Sequence, residues 1–217
     1  MKKTCIGVVA IAMMVFSFSI SGNAQLKLGV KGGLNLSSMS GMTDLMELGD
    51  ELGGEVPVSY KFGYAPAFHV GLMAQYDLPA NFFLQPELLF SMQGVKGEAS
   101  GYDTETNRLN FLQLPIYAGY KINAGLGLDI ILGAGPYVAF GISGSEGSYG
   151  DGGMFQRFDA GLSAIGGIQF HKLQITAGFD LGLVDQMGFD GWKTIKDITG
   201  ASSVQNRNFK LSVGYFF

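Results

Sequence analysis

From Leu26 to the end of the chain, apolar and polar residues alternate with a period of two, the signature of an extended strand with one greasy face. The alternation recurs eight times. The first run, Leu26–Leu36, sets Leu26, Leu28, Val30, Leu34 and Leu36 against Lys27, Lys31 and Asn35. Similar runs cover Gly63–Leu78, Phe82–Val95, Arg108–Ile122, Gly127–Ile142, Gln156–Phe170, Leu173–Val184 and Asn208–Phe217. The last places Phe209, Leu211, Val213, Tyr215 and Phe217 on one face and Lys210, Ser212 and Gly214 on the other. A helix, with its period of 3.6, cannot keep such a pattern on one face.

The connections add a second regularity. Pro79-Ala80-Asn81, Asn123-Ala124-Gly125-Leu126 and His171-Lys172 are hairpin-sized, whereas Ser37–Phe62, Lys96–Asn107, Ser143–Phe155 and Asp185–Arg207 are long. Long and short connections alternate over an even number of strands, which predicts an all-β fold: an eight-stranded antiparallel up-and-down transmembrane β-barrel. The apolar stripes then face lipid, because a closed barrel pairs every backbone group within its own wall. Tyr76, Phe82, Tyr120, Phe170, Tyr215 and Phe217 are expected at the membrane interface.

The first residues bear on location. Met1-Lys2-Lys3, an apolar run from Cys5 to Ile20, and small residues up to Ala24 read as a cleavable signal peptide, residues 1–24, ahead of a barrel domain over 25–217. The apolar run falls short of the ~20 residues that a spanning helix needs. Its removal takes Cys5, the one cysteine, so disulfide and thiol chemistry have no place in the mature chain. Lys2 and Lys3 leave too, lowering Lys plus Arg from 14 to 12 against 18 Asp plus Glu, and moving the formal charge from −4 to −6. That balance argues against nucleic acid as a partner.

With the apolar faces outward, the opposite faces line a narrow lumen. The inward chemistry is expected from Lys31, His69, Glu87, Gln113, Lys121, Asp129, Arg157, Asp159, Asp180 and Lys210. Both signs are present, so the main expectation is a plug of ion pairs and hydrogen bonds. A narrow polar path for ions or small solutes is the alternative. A second alternative is a lipid-modifying enzyme centred on His69, with Ser91, Glu87 or Ser163 beside it. Gly71, Gly119, Gly133, Gly135 and Gly161 also face inward and are read as relieving crowding. No cofactor or metal is expected. Among the long connections, the first gathers Asp44, Glu47, Asp50, Glu51 and Glu55 around Leu45, Met46, Leu48 and Leu52, an acidic segment suited to solvent or to weak contact with divalent ions or a partner. Gly150-Asp151-Gly152-Gly153 reads as a loop tip, and Trp192 with Phe189, Ile195 and Ile198 as an apolar cluster for the barrel mouth or a partner.

Four stretches give the chain a family likeness: Leu26-Lys27-Leu28-Gly29-Val30-Lys31-Gly32-Gly33-Leu34-Asn35-Leu36-Ser37, Leu112-Gln113-Leu114-Pro115-Ile116, Gly133-Ala134-Gly135-Pro136-Tyr137 and the closing strand. In these it resembles the bacterial outer-membrane β-barrel domain family, the "porin family" or PorT-like proteins. The resemblance implies residence in the cell outer membrane and carries no catalytic signature. Tyr215 and Phe217 are similar to the C-terminal signal that such barrels present to their assembly machinery. The expected partners are therefore outer-membrane lipid, the barrel assembly machinery, and an extracellular ligand or protein at the long loops. The expected role is structural or surface-interacting and non-enzymatic.

Overall fold

The computed structural model describes residues 25–40, 60–99, 105–144, 155–187 and 203–217. The segments expected to form a signal peptide, an acidic first loop, a tip at Gly150–Gly153 and an apolar cluster around Trp192 lie outside the described residues. Within them the chain forms eight strands: β1 (Gln25–Ser40), β2 (Tyr60–Asp77), β3 (Phe82–Ala99), β4 (Glu105–Gly125), β5 (Leu128–Gly144), β6 (Phe158–Phe170), β7 (Leu173–Gly182) and β8 (Gln205–Phe216). Each pairs antiparallel with its neighbours in chain order, and β8 returns to β1 to close a barrel. Closure leaves no edge strand with unpaired amides.

The register fixes the shape. From Leu26 the ladder passes through Tyr76, Leu84, Ala118, Ala134, Ala164, Phe179 and Phe209 and returns to β1 at Leu36, a stagger of ten residues (36 − 26). For eight strands at ordinary strand spacing and rise, that stagger tilts them about 41° from the barrel axis. All the residues on this path lie on the outer wall. Leu26, Leu34, Phe68, Leu72, Leu132, Phe158, Phe179, Leu211 and Val213 are exposed there, while inward positions are buried in strict alternation along β7 and β8.

Three short turns gather at one end, together with residue 25 and the C-terminus. In the β4–β5 turn, Gly125 and Gly127 take φ of 86° and 78°, values that a side chain would strain. Rings collect on the outer wall at this end: Phe82 meets Tyr120 edge-on at 5.2 Å, and Tyr215 meets Phe217 at 6.4 Å. The C-terminus is pinned, as the Phe216 amide donates to Lys172 O and the Phe217 amide to Leu28 O, both at 2.8 Å.

At the opposite end the strands run further than the apolar pattern suggests. β3 runs on to Ala99, which pairs with Tyr60 of β2, and β4 begins at Glu105, which pairs with Gly97, so the expected long connection Lys96–Asn107 shrinks to residues 100–104. Backbone pairing needs no apolar side chain, so the ladder continues where the pattern stops. β6 starts at Phe158 rather than Gln156. Beyond it the wall continues through single contacts, with Gln156 N–H donating to Gln186 O and Gln186 N–H to Val204 O, both at 2.8 Å.

Candidate functional site

Among the described residues, polar side chains converge in the lumen, which is filled in layers. Nearest the short turns, Asp77 accepts from Lys27 at 2.8 Å and from Lys121 at 2.5 Å. Lys121 also donates to Gln75, which donates to Gln85, which in turn donates to Glu87. Gln85 and Gln174 exchange hydrogen bonds from opposite sides of the barrel. Apolar side chains share this end, with Met73, Phe83, Ile131, Ile165 and Phe216 all buried inward.

The middle layer holds two ion pairs, Lys31–Glu87 and Lys210–Asp180, each at 2.7 Å and sealed from solvent. Asp180 also accepts from Ser163, from Gln113 Nε2 at 2.9 Å and from Asn208 Nδ2 at 3.3 Å. Tyr117 links the two halves: its hydroxyl bonds Ser163 at 2.9 Å and accepts from Lys210, while Lys31 lies 5.9 Å over its ring. Burial of these charges is tolerable because each is paired, and Glu87, Asp180 and Lys210 make further hydrogen bonds.

His69 is tied across the wall in the same region. Its Nδ1 lies 2.8 Å from Asn35 Oδ1 and its Nε2 2.9 Å from Ser212 Oγ. Asn35 turns its amide nitrogen to Phe68 O, Ser91 Oγ and Met92 O, so its oxygen is left to accept from Nδ1–H, and Nε2 accepts from the Ser212 hydroxyl. The reach depends on Gly33, which stands between His69 and Ser212 in the ladder. A Cβ there would strike Leu211 O and meet His69 Cε1 at 2.9 Å.

Serine, histidine and asparagine thus stand in nucleophile, base and orienter order. The rest of a hydrolytic site is missing from the described residues. Ser212 and His69 are 3% and 1% exposed, and the amides around Ser212 belong to the ladders with β1 and β7, which leaves no free donor pair for an oxyanion. The arrangement acts as a cross-barrel tie.

Toward the other end, Asn206 donates to Gln93 and to Asp159, whose Oδ2 also accepts from Tyr137 at 2.9 Å. Tyr137 and Ala139 at this level join Met39, Leu109, Phe111, Phe155, Met187 and Val204 in a buried apolar cluster that caps the interior toward the mouth. Among the described residues no three His, Cys, Asp or Glu side chains assemble as a metal site.

Of the ten lumen residues expected from the sequence, Lys31, His69, Glu87, Gln113, Lys121, Asp159, Asp180 and Lys210 are buried in this interior. Two are corrected. Asp129 has inward parity but sits at the first turn of β5, half-exposed, held by Asn123 Nδ2 at 3.0 Å. Arg157 precedes β6, is exposed, and donates to Gly141 O at the opposite rim. In both cases the residue lies where the wall ends. Asn35, Tyr117, Tyr137, Asn206 and Ser212 belong to the network although none was among the ten candidates, and each has the inward parity that could have found it. The apolar cap was hidden for a different reason, since a polar lumen leads one to assign every apolar residue to the lipid face.

A family model described as "Outer membrane protein beta-barrel domain" matches residues 19–187. No curated protein is detectably similar to the chain. Among solved structures, the chain is similar to Ail, the attachment invasion locus protein of Yersinia pestis, at 14% identity over 88% of this chain and 98% of that one, with a TM-score of 0.38. For the outer membrane protein OprG from Pseudomonas aeruginosa the values are 11%, 92%, 99% and 0.46. For Neisserial surface protein A they are 13%, 90%, 100% and 0.45. No role is carried over from these three.

Proposed function

The chain belongs to the outer membrane protein β-barrel domain family, and we propose that it works as a sealed, non-enzymatic barrel in the outer membrane that holds its long outer connections at the cell surface for a structural or binding role. One observation carries the reading. The lumen is crossed by hydrogen-bonded side chains at successive levels, from β1 to β3 through Lys31–Glu87, from β4 to β7 through Gln113–Asp180 and from β2 to β8 through His69–Ser212, beneath an apolar cap. Moving an ion through would mean breaking buried charge pairs, and each break leaves an uncompensated charge in a dry interior. A plugged interior favours the surface role over the channel.

Export by the residue 1–24 leader and assembly through the exposed rings of Tyr215 and Phe217 complete the proposal. In planar bilayers the purified barrel should add no discrete conductance steps above the lipid baseline. Reproducible steps that vanish on removing the protein would replace this reading with the narrow channel. On intact cells, protease should cut within residues 41–59, 145–154 or 188–202 while leaving the strands whole, and cleavage at the short turns instead would invert the orientation.

A further inference from the structure

Among the buried side-chain oxygens without a donor are Asp159 Oδ1, Gln113 Oε1, Asn208 Oδ1 and Glu87 Oε2, and of the two carboxylates Asp159 alone lacks a counter-charge. Asp159 is fully buried, and its Oδ2 accepts from Tyr137 and Asn206 while its Oδ1 accepts from nothing. Unlike Glu87 and Asp180, it has no ammonium or guanidinium partner among the described residues. Gln113 Oε1 and Asn208 Oδ1 are likewise buried and unpartnered. Their orientation is fixed by chemistry, because both amide nitrogens donate to Asp180 Oδ2 and flipping either amide would set a carbonyl oxygen against that carboxylate.

The ladder places Gln113 and Asp159 close together on the inner wall, with Asn208 across the Asp180 layer from them. Gln113 stands opposite Ala139, and Ala139 opposite Asp159, so only a methyl group separates the two polar residues along the wall. Asn208 is the next inward residue after Asn206, which already holds Asp159. The apolar cap closes this region toward the mouth, and the paired Asp180 layer closes it below.

A set of acceptors that includes a carboxylate with no counter-charge is unfavourable in a dry interior unless something positive sits among them. The donors are carboxylate and amide oxygens, which suit a hard cation, and the nearby imidazole of His69 has both nitrogens engaged. One uncompensated carboxylate among neutral amides balances a single positive charge, whereas a divalent ion would leave a buried surplus. We infer that the lumen holds one monovalent cation of the sodium class against Asp159 Oδ1, with Gln113 Oε1 and Asn208 Oδ1 turned toward it directly or through bound water. The cation completes the plug and goes beyond the surface role, which does not depend on it.

The test is thermal unfolding of the full barrel refolded in detergent at constant ionic strength, with sodium chloride replaced stepwise by choline chloride, so that a sealed site fills during folding. The native chain should gain about 3–5 °C for each tenfold rise in sodium above half-saturation. Asp159→Asn should lose that dependence, while Asp129→Asn, at the rim, should keep it. Equal melting of the native chain in sodium and choline overturns the inference by itself, even if Asp159→Asn fails to fold. Sodium dependence that persists in Asp159→Asn overturns it too, by placing the ion elsewhere. A native chain indifferent to sodium but stabilised by mild acid identifies a proton as the occupant, which again refutes the cation. Bilayer conductance is untouched by any of these results, so the two readings fail separately.

Discussion

The pair Lys210–Asp180 offers the sharpest test of the interior. Its nitrogen and oxygen are 2.7 Å apart, with side chains 3% and 1% exposed, so neither charge can turn to solvent when the other is removed. Lys210→Met keeps the unbranched side chain up to the ammonium position and strips its charge. Asp180 then retains Ser163, Gln113 and Asn208 as neutral donors, which places the loss near the lower end of the about 3–5 kcal/mol expected for breaking a buried pair. Asp180→Asn leaves Lys210 with neutral acceptors alone, the new amide oxygen and the Tyr117 hydroxyl at 3.3 Å, and no counter-charge, so it should cost more, toward the upper end. In the double variant no bare charge remains, and its cost should fall below the sum of the singles by about 2–3 kcal/mol. The assay is equilibrium urea unfolding of the barrel in lipid, followed by the fluorescence of the single Trp192, under conditions where folding and unfolding curves coincide. Single variants within about 0.5 kcal/mol of the native chain, or a double variant that is simply additive, would refute the reasoning, since solvated surface pairs behave that way.

Other outcomes follow from the same geometry. The apolar stripe from Leu26 to Leu36 spans about 25 Å along the axis at the tilt above, the height of a lipid-facing band. Val30→Arg, near its middle, should therefore cost about 2–4 kcal/mol and Leu36→Arg, at its edge, about 0–1 kcal/mol; equal costs in the unfolding assay would mean that the stripe does not face lipid. Gly33→Ala should lose about 1–3 kcal/mol, because its methyl group meets Leu211 O and His69 Cε1 in a packed wall, and an unchanged urea midpoint would contradict the close approach. The last strand should separate two roles: Phe216→Ala, on a buried ring, lowers unfolding stability by about 3–5 kcal/mol. Tyr215→Ala with Phe217→Ala instead lowers the amount of barrel assembled in cells, and normal assembly would remove their role as a signal.

The wall of this barrel was legible because one physical rule governs it. A strand between lipid and a narrow lumen must alternate, so parity alone set Leu211 and Val213 outward and Lys210 and Ser212 inward. The strand ends were less legible. Glu105 pairs with Gly97 and Ala99 with Tyr60 through their backbones, without any sustained apolar alternation to announce it, and Asp129 and Arg157 carry inward parity at rims where the interior has ended. Cross-barrel partners were out of reach for a geometric reason. That Lys31 meets Glu87 and His69 meets Ser212 depends on the ten-residue stagger, which is a property of closure rather than of any single strand. The apolar cap escaped because Leu109, Phe111 and Tyr137 share the inward parity of polar neighbours while looking like lipid-facing residues.

The most direct test of the whole account is the electrophoretic mobility of the protein from purified outer membranes, compared with and without boiling in detergent. A closed barrel with paired lumen charges should stay folded unheated and migrate differently once boiled. A heat-dependent shift in that fraction is the result expected here. A single mobility, with the protein recovered in the soluble periplasmic fraction, would turn the exposed stripes into the core of another assembly and contradict the account.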